Sequence, residues 1–515
     1  MKMKRSFFAA VACLFFLGTA YWGTSPGLAA APKGALRAAI HWQLTGDNLD
    51  PSTGGMFSGT LPLYMFHDAL VKLMPEGWYT PCLAESWTIS PDYKVFEFKL
   101  RKGVKFHNGD EMTAEDVVFS FERFKGLNSQ FIKSKIQKLE AVNPYLFRLT
   151  FKESFYDFFE YTLPTASSIA YVLPKKYIQK VGDEAYRKAP VGCGPYKFVE
   201  FRPGVKIVGE AFEGFWRKVP KVKRLEYNMV IAPETRYAMI KNGEVDYVTR
   251  MADTFYDKVK KDPDLRVFTP RSSGNWLIYL TAQWDPKSPW SDVRVRKAAS
   301  LAMDRKTLAD MFTPGAPLSG SLGLPEDPEN LPGAPDPYDP ERAKKLLAEA
   351  GYPNGFRAGK FYPQGDAWLQ MGDQVANYLK AVGINVETVH LSRPAYEAKL
   401  RTGEAKGDLF IDTASQPSCA ARLGYLFTYG TKDYLYGIYP EIPPLWNQYN
   451  QSVNPKVRKD LMTRIQQIIN EKEMFVYLIG SNSPAAFTPK VKGNPCKLEP
   501  IIWWAAPLED IELTD

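Results

Sequence analysis

The sequence is poor in the residues that catalysis and metal binding usually require. Its 515 residues include only four histidines, and these lie far apart in the chain. It contains no G-x-S-x-G elbow, no H-E-x-x-H pair, no P-loop and no G-x-G-x-x-G turn after a strand. These absences do not favour an enzyme, and we therefore predict no catalytic residue, no cofactor and no metal site.

Long apolar runs are also absent, except near the N-terminus. Three basic residues precede a mostly apolar stretch over residues 7–22, and small residues follow at positions 29–31. This order is typical of a cleaved secretory signal, which we assign to residues 1–31. The apolar stretch is shorter than the roughly 20 residues that a membrane-spanning helix needs. We therefore expect an exported, periplasmic protein.

Charge and cysteine content narrow the possible partners. Removing residues 1–31 deletes three basic residues and no acidic one, so the formal net charge falls from +8 to +5. Basic and acidic residues are interspersed, and no nucleic-acid partner is expected. Four cysteines remain, at positions 82, 193, 419 and 496, without a C-x-x-C pair. Export permits disulfides in three pairings, and four buried thiols are the alternative.

The stretch LRKGVKFHNGDEMTAEDVVFSF, residues 100–121, gathers one histidine and four acidic residues. Such a cluster is either a reactive site or part of the architecture. A metal site needs converging ligands, and His107 has no other histidine nearby in the sequence. Asn108-Gly109 is typical of a turn, and Thr113 followed by Asp116 predicts a helix N-cap with a capping box. The sequence therefore favours architecture.

Local patterns predict a mixed α/β (α+β) protein. VFEFKLR, residues 95–101, alternates apolar and charged side chains and predicts a half-buried strand. Residues 339–355 begin with Asp-Pro, are rich in strong helix formers and predict a helix that stops at a glycine. Residues 293–312 predict a further helix, and a long Pro/Gly-rich loop joins the two.

Six segments carry a family resemblance when they are read in order. They are LDP (49–51), AESWTISPDYKVFEFKLRKGVKFHNGDEMTAEDVVFSFER (84–123), VGCGPYKFVEF (191–201), NGEVDYV (242–248), SDVRVRKAASLAMDR (291–305) and YDPERAKKLLAEAGYPNG (338–355). Together they resemble the family 5 extracytoplasmic solute-binding proteins, the peptide/nickel/opine-type receptors of ABC importers. The resemblance spans essentially the whole chain after residue 31.

This resemblance implies a two-lobed periplasmic-binding-protein clamshell with an extra subdomain in the first lobe. Mapped onto this sequence, the first lobe comprises residues 32–70, 191–272 and 484–515, its extra subdomain residues 71–190, and the second lobe residues 273–483. Chain crossings near 272–274 and 480–483 would act as hinges. The implied role is a monomeric receptor that captures a small solute between the lobes and delivers it to ABC transporter permease subunits.

Three ligand-binding candidates follow from the family pattern. Trp276 and Asn275 open the second lobe, where relatives place aromatic residues of the cleft, and Met56 follows the LDP motif on a loop that lines the cleft in relatives. Ordinary core packing is the alternative for Trp276 and for Met56. The sequence alone leaves both interpretations open.

One feature of the peptide-binding members is missing. They carry a Trp-x-x-Asp motif whose aspartate holds the α-ammonium group of the ligand. In one alignment Ser418 and Ala421 stand at those positions here, and another register, two residues earlier, also lacks both the tryptophan and the aspartate. Because a buried ammonium group needs a counter-charge, this favours an acidic or uncharged solute over a free peptide. Nearby candidates are Asp412, Arg422 as an anion anchor, and Arg401, which lies near where some peptide binders hold a carboxylate. A capping acid and a solvated arginine are the alternatives for Asp412 and Arg422.

Two other function classes compete with the receptor. A secreted enzyme that reuses the fold would need a nucleophile–base pair or a metal constellation in the cleft. A periplasmic chaperone would bind unfolded chains weakly and with little sequence preference.

Overall fold

The computed structural model describes residues 31–514 except 42–43, 45–48, 54–59, 75–76, 127–128, 163–167, 252, 270–273, 317, 319, 324–326, 365–367, 402–403, 415–417, 429–436, 482–483 and 493–506. Its strands are β1 Lys33–Ile40, β2 Val71–Met74, β3 Gly77–Pro81, β4 Ala84–Ile89, β5 Val95–Leu100, β6 Ile136–Asn143, β7 Leu146–Phe151, β8 Tyr196–Arg202, β9 Lys206–Ala211, β10 Val222–Met229, β11 Tyr247–Val248, β12 Arg266–Phe268, β13 Gly274–Leu280, β14 Phe356–Tyr362, β15 Ile384–Thr388, β16 Leu409–Ala414, β17 Phe475–Ser481, β18 Ala485–Phe487, β19 Val491–Lys492 and β20 Glu512–Leu513. Its helices are α1 Thr60–Phe66, α2 Ala114–Arg123, α3 Ser129–Lys135, α4 Phe158–Thr162, α5 Lys175–Val181, α6 Asp183–Lys188, α7 Pro233–Lys241, α8 Asp253–Lys260, α9 Val293–Leu301, α10 Arg305–Phe312, α11 Pro340–Glu349, α12 Leu369–Ala381, α13 Arg393–Arg401, α14 Cys419–Thr428, α15 Ile442–Gln451 and α16 Pro455–Glu471.

A seven-stranded mixed sheet forms the centre of the first lobe, in the order β12-β18-β11-β1-β10-β9-β8. β1 runs parallel to β10 on one side and to β11 on the other. Leu36, Ala38 and Ile40 of β1 pack in one core, whereas Ala39 packs in another core on the opposite face. Burial on both faces explains why β1 ends as a nearly continuous apolar run.

A five-stranded sheet forms the centre of the second lobe, in the order β15-β14-β16-β13-β17. Every residue of the central strand β13 is buried. Trp276 and Ile278 belong to the core on one face, and Leu277 and Tyr279 belong to the core on the other. Because side chains alternate along a strand, β13 is covered by packed elements on both faces.

The extra subdomain contains a four-stranded sheet in the order β4-β5-β7-β6. Phe96, Phe98 and Leu100 of β5 are buried, as the alternation predicted. The predicted capping box of α2 is confirmed, because the Thr113 amide donates to the Asp116 carboxylate over 2.8 Å. The four acidic residues of this stretch contact protein groups, including Lys175, whose Nζ lies 3.0 Å from Glu115 Oε2.

His107 is part of this architecture too. Its backbone amide donates to the Gly192 carbonyl over 2.8 Å, and its Nε2 lies 3.0 Å from the Gly194 carbonyl. The Gly192 amide donates to His107 Nδ1 over 3.3 Å, which requires an unprotonated Nδ1. Burial lowers the pKa of His107 to about 3, which agrees with a neutral ring. Through these hydrogen bonds, His107 connects the family segment at residues 84–123 to the family segment VGCGPYKFVEF at residues 191–201.

Residues 293–312 form two helices rather than the single predicted one. α9 ends at Leu301, and α10 starts at Arg305. Asp304 caps α10 by accepting a hydrogen bond from the Thr307 amide over 3.0 Å. An aspartate favours the N-cap position over a helix interior, and this preference divides the stretch. The helix predicted from Asp339 is confirmed as α11, with Asp339 as its N-cap and Gly351 at a φ of 95° after its end.

Of the four cysteines, Cys82, Cys193 and Cys419 are buried free thiols, and Cys496 lies outside the described residues. Burial raises the pKa of the Cys82 thiol to about 12, so this thiol is unreactive. Among the described residues, no helix is long and apolar enough to cross a membrane. In the same part of the chain, no three histidine, cysteine or acidic side chains converge in a way that suits a metal ion.

Candidate functional site

The two central sheets are joined at matching edges. In the first lobe, β1, β10 and β11 are parallel, so their carboxyl ends share one edge, and β18 begins beside β11 at that edge. In the second lobe, β14, β15 and β16 are parallel, and Ala414 at the end of β16 pairs with Asn275 at the start of β13. β12 and β13, and likewise β17 and β18, are consecutive strands that belong to different central sheets, so the chain crosses between the lobes after β12 and after β17. Both crossings therefore connect carboxyl edges, where ligands of α/β sheets bind.

Two tryptophans lie at this edge of the second lobe. Trp276, the third residue of β13, packs edge-to-face against Trp368, with 4.3 Å between ring centroids. Trp276 is 1% exposed and Trp368 is 8% exposed. Trp276 Nε1 has no hydrogen-bond partner within the described part of the chain. A buried indole N–H normally finds an acceptor, so this donor suits an acceptor group on a bound solute.

The first lobe brings an arginine onto one of these two rings. Arg250 follows β11, and its guanidinium lies 3.6 Å from the centroid of the Trp368 ring. Its φ of 50° is left-handed, a conformation that a non-glycine residue rarely adopts. The buried Arg236 supports this conformation by donating to the Arg250 carbonyl over 2.8 Å. Burial lowers the pKa of Arg236 to about 10, and the group remains a cation at neutral pH.

Asn275 and Asp412, both predicted as ligand contacts, lie close to the same edge. The Asn275 amide group donates to the Ser321 carbonyl over 2.8 Å, so it secures the long loop that follows α10. Asp412 is half-buried on β16 and accepts a hydrogen bond from Gln364. Its pairing with Leu277 places Asp412 on the sheet face opposite Trp276.

Arg422 lies deeper than the other candidates. It is fully buried on α14 and donates to the Leu322 carbonyl. Desolvation lowers the pKa of Arg422 to about 10. Arg422 and Asp412 act on the buried Tyr279 in opposite senses: burial raises the pKa of Tyr279, Asp412 adds to the rise and Arg422 opposes it. Both residues therefore interact electrostatically with Tyr279, which belongs to the core on the face away from Trp276.

The two remaining candidates have no described side-chain environment. Met56 lies outside the described residues, and Arg401 is the last residue of α13, whose side chain is likewise outside the described part. Both stay predictions from the family pattern.

The extra subdomain also contacts the second lobe directly. Ser418, which one alignment places at the position of the missing tryptophan, donates through Oγ to Glu160 Oε2 over 2.7 Å. Glu160 also accepts a hydrogen bond from the Tyr79 hydroxyl. Burial raises the pKa of Glu160 to about 7. The position without its usual aromatic side chain thus faces a carboxyl group from the other lobe.

Sequence reasoning did not single out Arg250, Trp368 or Glu160. A usable signal existed for Arg250, since it comes two residues after NGEVDYV, and residues that follow parallel strands lie at the ligand edge. Trp368 and Glu160 sit in segments without a recognisable motif, and only the tertiary structure shows their contacts across the two lobes.

The bacterial extracellular solute-binding proteins, family 5, match this chain over residues 79–416. The chain belongs to this family. The resemblance and the two-lobed fold predicted from the sequence are therefore confirmed. The role of the protein is to bind a solute for an ABC importer, and the members of its family are solute-binding transport proteins.

Individual relatives differ in the solutes for which they are named. Heme-binding protein A of Haemophilus influenzae is 29% identical over 452 residues, which cover 80% of this chain and 81% of that protein. The dipeptide-binding protein of Escherichia coli is 27% identical over 365 residues, which cover 63% of this chain and 65% of that protein. The solved structure of AgaA from A. tumefaciens R10, in complex with agropinic acid, has a TM-score of 0.78 at 23% identity and covers 94% of this chain and 99% of its own.

Proposed function

We propose that this protein is a monomeric periplasmic receptor that captures a small organic solute between the carboxyl edges of its two central sheets. It then delivers the solute to the permease subunits of an ABC importer in the inner membrane. The observation that carries the proposal is the pair of chain crossings, because both join the edges at which Arg250, Trp276 and Trp368 meet. Cleavage of a signal over residues 1–31 accounts for the export.

The solute class follows from the charges at these edges. We propose an acidic or uncharged solute, such as an opine, rather than a free peptide. Ala421 supplies no carboxylate for an ammonium group, whereas Arg250 brings a cation to the tryptophan pair and Arg236 adds a buried cation behind it. A desolvated anion is stabilised by such cations, and a desolvated ammonium group is not.

A thermal unfolding screen of residues 32–515 tests both parts of this proposal. The panel holds agropinic acid, mannopinic acid, dicarboxylic acids, oligosaccharides, di- and tripeptides, and nickel with histidine. A solute at 100 times its Kd stabilises the folded state by about 2.7 kcal/mol, and we expect the largest rise of the unfolding midpoint with an acidic or uncharged compound.

Two outcomes would count against the proposal. A dominant shift with free di- or tripeptides would contradict the solute class and leave the receptor role intact. Turnover of a panel compound without any shift would favour the enzyme alternative instead.

A further inference from the structure

A buried ion pair joins the extra subdomain to the second lobe. Asp157 precedes α4 in the extra subdomain, and its carboxylate contacts the guanidinium of Arg458 on α16. The side chain of Arg458 is 1% exposed and that of Asp157 is 8% exposed. The segment that carries Asp157 joins the first lobe at both ends, through α1 and through β8. The pair therefore spans the two lobes.

The guanidinium of Arg458 also lies between two aromatic rings from opposite sides of the cleft. It is 4.1 Å from the ring centroid of Tyr156 in the extra subdomain and 3.7 Å from that of Tyr449 in the second lobe. Arg458 Nη1 donates to the Tyr449 carbonyl over 2.8 Å, which fixes the side chain to its own lobe. Cation–π contacts gain strength in such a desolvated position.

Arg458 has a second acidic neighbour that belongs to its own lobe. Glu329 Oε1 lies 3.7 Å from Arg458 Nε, and Glu329 accepts a hydrogen bond from the Tyr449 hydroxyl over 2.6 Å. When the lobes separate, Asp157 and Tyr156 move away with the first lobe, while Glu329 and Tyr449 stay beside Arg458. Of the two acidic neighbours of the guanidinium, Asp157 thus belongs to the first lobe and Glu329 to the same lobe as Arg458.

We propose that Asp157 and Arg458 form a latch that stabilises the closed arrangement of the lobes, and that this latch sets the affinity for the solute from outside the solute site. Neither residue lies on a carboxyl edge of a central sheet. A neighbouring contact also favours the closed arrangement. Tyr161 of α4 packs so closely on Gly424 of α14 that a Cβ at position 424 would clash with the Tyr161 hydroxyl group. The latch raises the closed fraction of the protein, and a larger competent fraction lowers the apparent Kd in proportion.

The test measures closure without a solute. Spin labels on the exposed residues Val142 of the extra subdomain and Met311 of the second lobe report the distance between these regions, by double electron–electron resonance. The labelled protein comprises residues 32–515 and carries Val142→Cys, Met311→Cys and Cys496→Ser. Its three remaining cysteines, Cys82, Cys193 and Cys419, are buried. We expect Asp157→Asn to lower the ratio of short to long distances at least tenfold, because Arg458 then stays buried in the closed state without its partner across the cleft.

Glu329→Gln is the matched control, because it also removes a charge beside Arg458, but on the same side of the cleft. We expect it to keep or to raise the ratio of short to long distances. In an Arg458→Met background, Asp157→Asn should have no further effect on this ratio, since the two substitutions break one interaction. Near-UV circular dichroism checks that each variant is folded.

An unchanged distance distribution in folded Asp157→Asn would overturn the latch. Equal losses in Asp157→Asn and Glu329→Gln would overturn it too, because that result would reflect general damage to the second lobe. If Asp157→Asn does not fold, the comparison of Arg458→Met with Glu329→Gln decides, and equal ratios in these two variants reject the latch. None of these outcomes affects the proposed solute site, because the measurement contains no solute.

Discussion

Trp276→Ala is expected to weaken solute binding by about 100-fold and to lower the free energy of unfolding by about 3–5 kcal/mol. Trp276 is almost fully buried, so its removal leaves a cavity in the second-lobe core. It also supports the Trp368 ring against which Arg250 stacks, so the contact between the two lobes at this point is lost with it. Calorimetric titration with the solute found in the screen measures the affinity, and denaturant unfolding measures the stability.

Trp290→Ala is the matched control for this experiment. Trp290 is equally buried and belongs to the same core, but it lies beyond the other end of β13 and donates through Nε1 to the Ala358 carbonyl over 3.2 Å. We expect a similar loss of stability with an affinity within about twofold of the unsubstituted protein. Equal affinity losses in the two variants would contradict a solute contact at Trp276 and leave only its packing role.

Gly194→Ala is expected to lower the free energy of unfolding by about 3 kcal/mol or more. A Cβ at this position would lie 2.6 Å from the His67 amide nitrogen and 2.7 Å from the Met65 carbonyl oxygen. Both neighbours are backbone atoms at the end of α1, so neither can rotate away. The clash falls where the VGCGPYKFVEF segment meets the extra subdomain through His107. Denaturant unfolding monitored by circular dichroism measures the loss.

Gly204→Ala separates this close approach from the general effect of losing a glycine. Gly204 has a φ of 69°, and a Cβ there would have no neighbour within 4 Å. Its replacement should cost only about 1 kcal/mol, from the left-handed backbone. If Gly194→Ala were no more destabilising than Gly204→Ala, the tight packing at the family segment would be refuted.

The local elements that the sequence predicts correctly are those with a strong local cause. The alternation in residues 95–101 gives β5, the Thr113–Asp116 pair gives the capping box of α2, and Asp339 caps α11. The single helix over 293–312 is wrong, because periodicity alone did not reveal that Asp304 caps a new helix. The two-lobed fold was predicted from the order of the family motifs and not from local patterns.

The proposed solute site is less accessible to sequence reasoning, because its candidate residues come from both lobes. Asn275 and Trp276 follow a chain crossing and were named from the family pattern, whereas the contact of Arg250 with Trp368 depends on how the two lobes pack together. For Arg422 the sequence left an anion anchor and a solvated arginine open. Because burial depends on tertiary packing, the sequence did not reveal that Arg422 is fully buried. The roles of these residues in solute binding, and the segment boundaries at residues 70, 190, 272 and 483, stay predictions.

Hydrogen–deuterium exchange of residues 32–515 with and without the bound solute tests the central claim most directly. We expect solute-dependent protection at the ends of β1, β11 and β16 and at the start of β13, since these backbone segments form the two carboxyl edges. A cavity of about 380 Å³, lined by Trp284, Trp290, Arg357 and Lys406, lies at the opposite edge of the five-stranded sheet. Protection confined to that cavity, with unchanged exchange at both carboxyl edges, would contradict capture between the lobes.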